Sequence, residues 1–237
     1  MSYHPRLGFH QCLKFSDGTG GCNGCLNTHG MFLGNRPSCP TDPVLKTTNT
    51  GLGLLADLLE EVFTNKNFPS TAAKLPVSLK ASGKSRADLW TFASAVALER
   101  GIDQNNLACD GIAPYLYHLR ATEPDCKIEG KENIRFLTGR SDCNADTWET
   151  TKEENHPNPH GNGSMTADFF KKDFGLTGRE GAALLLGSHS FGTFNFGFSL
   201  FKYTWTRKQG GLFNNQLFRS CLHLFRKTVP NSPIPGI

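Results

Sequence analysis

A mostly α-helical domain with long loops and little β structure is predicted by three features of the 237-residue sequence. Apolar residues at 52, 54, 55, 58, 59, 62 and 63 follow helical spacing. Ser85-Arg86-Ala87-Asp88 has the form of a capping box and precedes a long apolar segment. No stretch of useful length alternates apolar and polar residues as a half-buried strand does.

In chain order, Arg6-Leu7-Gly8-Phe9-His10 reads as a short helix, with Pro5 tolerable in its first turn. Residues 51–63 form an amphipathic helix, and 64–84 are a polar connector punctuated by proline. The box at 85–88 opens a helix to Arg100, with Gly101 as its stop and Asp88 reaching back to the helix start. Residues 141–165 are polar and rich in Asn, Pro and Gly, so they read as a long surface loop. Two helices follow, over 166–173 and 177–186, the second opened by the box Thr177-Gly178-Arg179-Glu180.

The length is about one and a half usual domains. One domain over residues 1–237 is expected, because the residues that could carry chemistry lie toward opposite ends of the chain. No run approaches the roughly 18–20 apolar residues of a membrane helix, so no membrane span is expected. A net charge of +4 is a mild excess that on its own gives no case for nucleic acid, which would call for basic residues clustered on one face or helix. Eight cysteines, at 12, 22, 25, 39, 109, 126, 143 and 221, and the sequon Asn162-Gly163-Ser164 favour an oxidising compartment. Their pairing is open at this point, and no signal peptide is visible at the N-terminus. Cys12, Cys22, Cys25 and Cys39 could alternatively form a zinc module, since Cys22 and Cys25 have ligand-like spacing.

Two places could carry chemistry. Arg6 and His10, one helical turn apart, share a face with Phe9 beside them. A histidine can take and return a proton there while an arginine stabilises negative charge, although two surface residues would give the same pattern. Leu186-Gly187-Ser188-His189-Ser190-Phe191-Gly192 runs an apolar helix into a histidine with small neighbours, with Trp205 downstream. That arrangement suits a haem axial ligand and also a satisfied core histidine.

Taken together and in order, these motifs resemble the plant-type haem peroxidases, the superfamily of ascorbate, fungal and secreted plant peroxidases. Arg6, Phe9 and His10 match the distal RLxFH element, and Asn49 the asparagine that orients the distal histidine. Ala87-Asp88-Leu89 matches ADL, Gly139-Arg140-Ser141-Asp142 matches GRxD, and Phe174-Gly175-Leu176 matches FGL. Residues 187–192 match the proximal GxHTxG signature, and Phe213-Asn214-Asn215 matches FDN.

The resemblance implies a haem-peroxidase-like helical domain, its distal part at about 1–100 and its proximal part at about 165–237, incomplete at both termini. It implies haem b, with His189 as the axial ligand of the iron and Phe9, Ser190 and Trp205 lining the cofactor. Arg6, His10 and Asn49 would be the catalytic set. His10 would move a proton between the oxygens of hydrogen peroxide, Arg6 would stabilise the departing oxygen, and Asn49 would hold the His10 tautomer. Electrons would come from a small organic donor, in a secreted monomer that responds to oxidative stress. Trp205, sixteen residues beyond His189, looks like the intracellular ascorbate-type branch. The pairs His10-Gln11-Cys12 and Gly21-Cys22-Asn23 resemble elements of the secreted branch, which implies a Cys12–Cys22 disulfide.

The sequence departs from the family where cations bind. Gln11, Asn23 and Asn214 replace expected aspartates, so calcium binding is expected to be lost or weak. Gly181 to Ile237 contains no Asp or Glu, so no downstream carboxylate can accept the second N–H of His189. The alternative function is therefore a non-catalytic relative that keeps the fold as a haem-holding or structural protein.

Overall fold

The computed structural model describes residues 3–28, 48–65, 77–110, 127–129, 135–158 and 161–189. Among these, five helices and one short parallel strand pair bear out the mostly α expectation. No described helix is long and apolar enough to cross a membrane.

The helices are α1 (Tyr3–His10), α2 (Gly53–Thr64), α3 (Arg86–Cys109), α4 (Gly163–Phe174) and α5 (Gly178–Ser188). Strand β1 (Leu26–Asn27) pairs in parallel with β2 (Glu149–Thr150), with Leu26 opposite Glu149. The chain divides into two compact units: residues 3–98 with 132–177, and residues 99–131 with 178 onward.

In the first unit, α2 turns Leu55, Leu59 and Phe63 inward, one helical turn apart, while Leu54 and Leu58 face out. Leu55 and Leu59 join Leu7 of α1, Leu26, Leu52, Trp90 of α3 and Trp148 in one apolar core. Burial of each large side chain there contributes roughly 1.5–3 kcal/mol. Gly8 lets α1 lie against α3, because a Cβ there would collide with the Ser94 side chain.

Helix α3 begins as predicted, with Ser85 Oγ accepting from the Asp88 N–H at 3.0 Å. The other half of the box is absent. Asp142 instead accepts from the Arg86 and Ala87 N–H groups at 3.0 and 2.9 Å. Asp88 turns to Gly139 and Arg140, accepting from both backbones and from the Arg140 guanidinium. Burial pushes the Asp88 carboxyl up, but these donors outweigh it and hold the group below its usual range. The ADL and GRxD motifs thus cap and brace one another. Arg86 is wholly buried, bonded to Glu60 and to the Asn144 carbonyl, with the Phe63 ring beneath it.

The predicted stop at Gly101 is overrun, since α3 continues to Cys109. A lone glycine costs a helix only about 1 kcal/mol, which tertiary context overcomes. Helix α4 starts three residues earlier than predicted because Asn162 caps it, its Oδ1 accepting from the Met165 N–H.

Apart from β2, residues 141–158 are irregular, as read, but they do not lie loose on the surface. Cys143, Trp148, Thr150, Glu153 and Asn155 exchange backbone hydrogen bonds with residues 14–28. Phe15 and Glu154 form an antiparallel bridge. Disulfides Cys12–Cys22 and Cys25–Cys143 secure the same region, the first as the family resemblance implied. Three of the four cysteines of the zinc alternative are thereby oxidised and cannot ligate as thiolates.

In the second unit, the Asn106 amide accepts from and donates to the Ile128 backbone, and Lys127 pairs with Asp110 at 2.7 Å. Cys109 is also disulfide-bonded.

Candidate functional site

Helix α1 ends at His10, which places the imidazole inside the first unit, 9% exposed. Burial, then the charge of Arg6, then His156, lower its pKa well below 6.5 against an opposing hydrogen bond to Asn49. His10 is therefore neutral at neutral pH, as a proton acceptor must be.

Asn49 fixes which ring nitrogen is the acceptor. Its Nδ2 faces the Asn27 carbonyl at 3.1 Å and both Glu154 oxygens at 2.9 and 2.7 Å. An amide nitrogen donates, so the opposite end, Oδ1, must be what meets His10 Nδ1 at 2.6 Å. Nδ1 then carries the proton, and Nε2 holds the lone pair. The carboxylate of Glu154, its side chain 2% exposed, thus determines the tautomer of His10 through one intervening amide.

Arg6 lies one turn before His10, and its guanidinium donates to the Thr50 carbonyl at 3.0 Å and to the Thr48 carbonyl. Phe9 touches the His10 ring edge-on at 5.9 Å and stacks on Phe174 at 5.8 Å, with Phe170 at 6.2 Å. An aromatic wall therefore stands next to the imidazole. The spacing of Phe170 and Phe174 along α4 carried this signal in the sequence.

Two further residues that no sequence pattern singles out stand beside His10. Glu154 and His156 reach His10 because residues 153–155 pair with residues 14–16, just past α1. His156 lies with its ring 4.9 Å from that of His10, and its Nε2 is 3.1 Å from Glu154 Oε2 and 2.7 Å from Thr48 Oγ1. A Glu and a His in a polar, proline-rich stretch show no periodicity, so local sequence could not place them.

His189 follows α5 in the second unit. Its Nδ1 lies 2.7 Å from the Leu185 carbonyl, one turn back, and 3.3 Å from Ser188 Oγ. A carbonyl only accepts, so Nδ1 carries the proton and Nε2 is the nitrogen that can bind a metal. The acceptor absent from the C-terminal carboxylates is here a backbone carbonyl. Ser190, Trp205 and Asn214 lie outside the described residues.

The donor set of each unit, taken by itself, is chemically suited to a haem. His189 has the ligating tautomer, and His10, Arg6 and Phe9 form a buried base, a cation and an apolar wall. Gln11 is committed elsewhere: its Oε1 accepts from the Gly24 N–H, and its Nε2 donates to Thr91 and Ala87.

A family model described as Peroxidase matches residues 1–231 of the chain. No curated protein matches it.

Proposed function

The chain belongs to the plant-type haem peroxidase superfamily, and from that premise we propose that it reduces hydrogen peroxide with a small organic electron donor. The observation that carries the proposal is the buried, neutral His10, held by Asn49 with its lone pair on Nε2.

Haem b, when bound, supplies the iron centre at which peroxide is reduced. His189 would hold that iron through Nε2, its orientation set by the Leu185 carbonyl. His10 accepts the proton of incoming peroxide at Nε2 and returns it to the outer oxygen as that oxygen departs. Arg6 stabilises the charge on the departing oxygen. To do so, its guanidinium must exchange one backbone carbonyl, at Thr48 or Thr50, for the substrate. Asn49 is a positioning residue, keeping Nδ1 protonated throughout. Phe9 excludes water from one side of the imidazole. Ser190 and Trp205 are assigned to the proximal side of the cofactor by their motif positions.

Calcium is not part of the proposal, because the Gln11 side chain is consumed by the Gly24 loop and α3. The disulfides are compatible with an oxidising compartment, and we assign the protein there, as a secreted monomer.

One observation favours the alternative of a non-catalytic relative: the carbonyls of Thr48 and Thr50 already occupy Arg6. Haem reconstitution separates the two readings. A peroxidase shows a Soret band that changes on adding peroxide and recovers with a phenol, and His189→Ala abolishes the ligated spectrum. A Soret band indifferent to peroxide supports the haem-holding alternative. Absence of any haem uptake refutes both haem readings.

A further inference from the structure

We propose that His10, Glu154 and His156 form a binding site for a zinc-class divalent cation. One donor atom from each of the three lies within 4.8 Å of the others. Two imidazoles and a carboxylate are a donor set that zinc accepts, with a fourth position left to water.

The best-formed edge of the site is His156 with Glu154. Their Nε2 and Oε2 atoms are 3.1 Å apart. Two ligands at about 2.0–2.1 Å from a tetrahedral ion stand about 3.3 Å from one another. This pair therefore needs almost no movement to chelate. The ion takes the place of the Nε2 proton, which moves to Nδ1 of the same ring. A ring nitrogen of His10, no more than 4.8 Å from either partner's donor atom, completes the set by closing toward the ligand separation of about 3.3 Å.

Burial favours the assembly. Glu154 is 2% exposed and His156 19% exposed in their side chains, so the carboxylate is already dehydrated while the outer imidazole leaves an entrance. Glu154 keeps its hydrogen bonds from Asn27 N and Asn49 Nδ2, the outer contacts that orient a ligating carboxylate. The Arg6 cation opposes the ion, but its guanidinium is directed to the carbonyls of Thr48 and Thr50.

A cation held here occupies the imidazole that peroxide reduction would use, so zinc acts as a reversible inhibitor. That consequence rests on the peroxidase reading. The binding does not.

The test uses the full chain with free thiols blocked and metals stripped by chelator. Zn2+ is titrated by calorimetry against wild type, His156→Ala and Glu154→Gln, with far-UV circular dichroism as the control for folding. One equivalent bound by wild type, and at least tenfold weaker binding in both variants, is the expected result. No stoichiometric binding, or equal binding in wild type and folded His156→Ala, overturns the proposal. Should Glu154→Gln fail to fold, the partly exposed His156 decides alone. On the haem-loaded chain, Zn2+ should slow the peroxide reaction of wild type and spare that of His156→Ala. A haem-loaded chain inert to peroxide without zinc counts against the peroxidase reading, and the calorimetry still decides the metal site.

Discussion

Glu154 grips the side chain of Asn49 with both carboxylate oxygens, at 2.9 and 2.7 Å, across 105 residues of chain. Asn49 in turn meets His10 at 2.6 Å, so an acidic residue with no part in proton transfer sets the proton position of the base. Glu154→Gln offers one acceptor oxygen where three N–H groups now converge, from Asn49, Asn27 and His156. We expect a loss of about 1–3 kcal/mol in urea unfolding, the cost of stranding a buried donor. The peroxide reaction should slow by roughly tenfold or more, part of what a positioned base supplies, while the Soret band stays intact.

His10 itself should matter most to the first chemical step. His10→Leu is expected to lower the rate of peroxide reaction by roughly 10²–10⁴ and to leave haem uptake through His189 in place. Stopped-flow spectra at increasing peroxide measure the rate, and the resting spectrum reports the haem.

The depressed pKa of His10 has a pH signature. The unfolded imidazole takes a proton near 6.5 while the folded one resists, so the unfolded state binds more protons below that point. Stability should be fully present above pH 6.5 and should fall as pH drops toward the folded pKa. Urea midpoints between pH 8 and 5 should show this fall in wild type and less of it in His10→Gln. Asp88, also depressed, contributes only below its ordinary 3.8 and does not confuse that window. The rate of the peroxide step should be flat above pH 6.5 and decline well below it.

What could be read from the sequence was what local patterning encodes. The inward face of α2, the Ser85 cap and the one-turn spacing of Arg6 and His10 are all short-range, and the structure contains each. The end of α3 is not legible at Gly101, because one glycine cannot outweigh the packing around Ile102 and Asn105, both buried. The true partners of Asp88 are out of reach of local sequence, since nothing local shows that Gly139 and Arg140 fold back onto it. Glu154 and His156 were invisible for the same reason: their placement is made by pairing to residues 14–16, more than a hundred positions away.

Arg86 offers a test of the fold that is independent of the site. Its guanidinium is fully buried and bonded to Glu60 at 2.6 and 3.1 Å, beside Asp142 at 3.6 Å. Arg86→Ala leaves those carboxylates without their cation and should cost about 3–5 kcal/mol. Arg86→Lys should recover little of it, because an ammonium cannot reproduce the fork that engages Glu60 and the Asn144 carbonyl together. Thermal unfolding of the two variants measures both.

The disulfides should differ in their contributions. On the chain-entropy estimate, closing the short loop of separation 10 contributes about 3 kcal/mol and the loop of separation 118 about 5 kcal/mol. Cys25→Ser with Cys143→Ser should therefore lower the guanidinium midpoint further than Cys12→Ser with Cys22→Ser. It should also loosen the segment carrying Glu154 and His156, read as faster amide exchange there.

The long bridge imposes an order on biosynthesis. Cys12 can find Cys22 almost as soon as both leave the ribosome, but Cys25 must wait for a partner 118 residues later. At roughly 5–20 residues per second, that wait lasts roughly 6–24 s. Throughout it, Cys39 is the next thiol to arrive, so a nascent chain oxidised too early would trap Cys25 in the wrong pair, and a disulfide isomerase would then govern the yield of native protein.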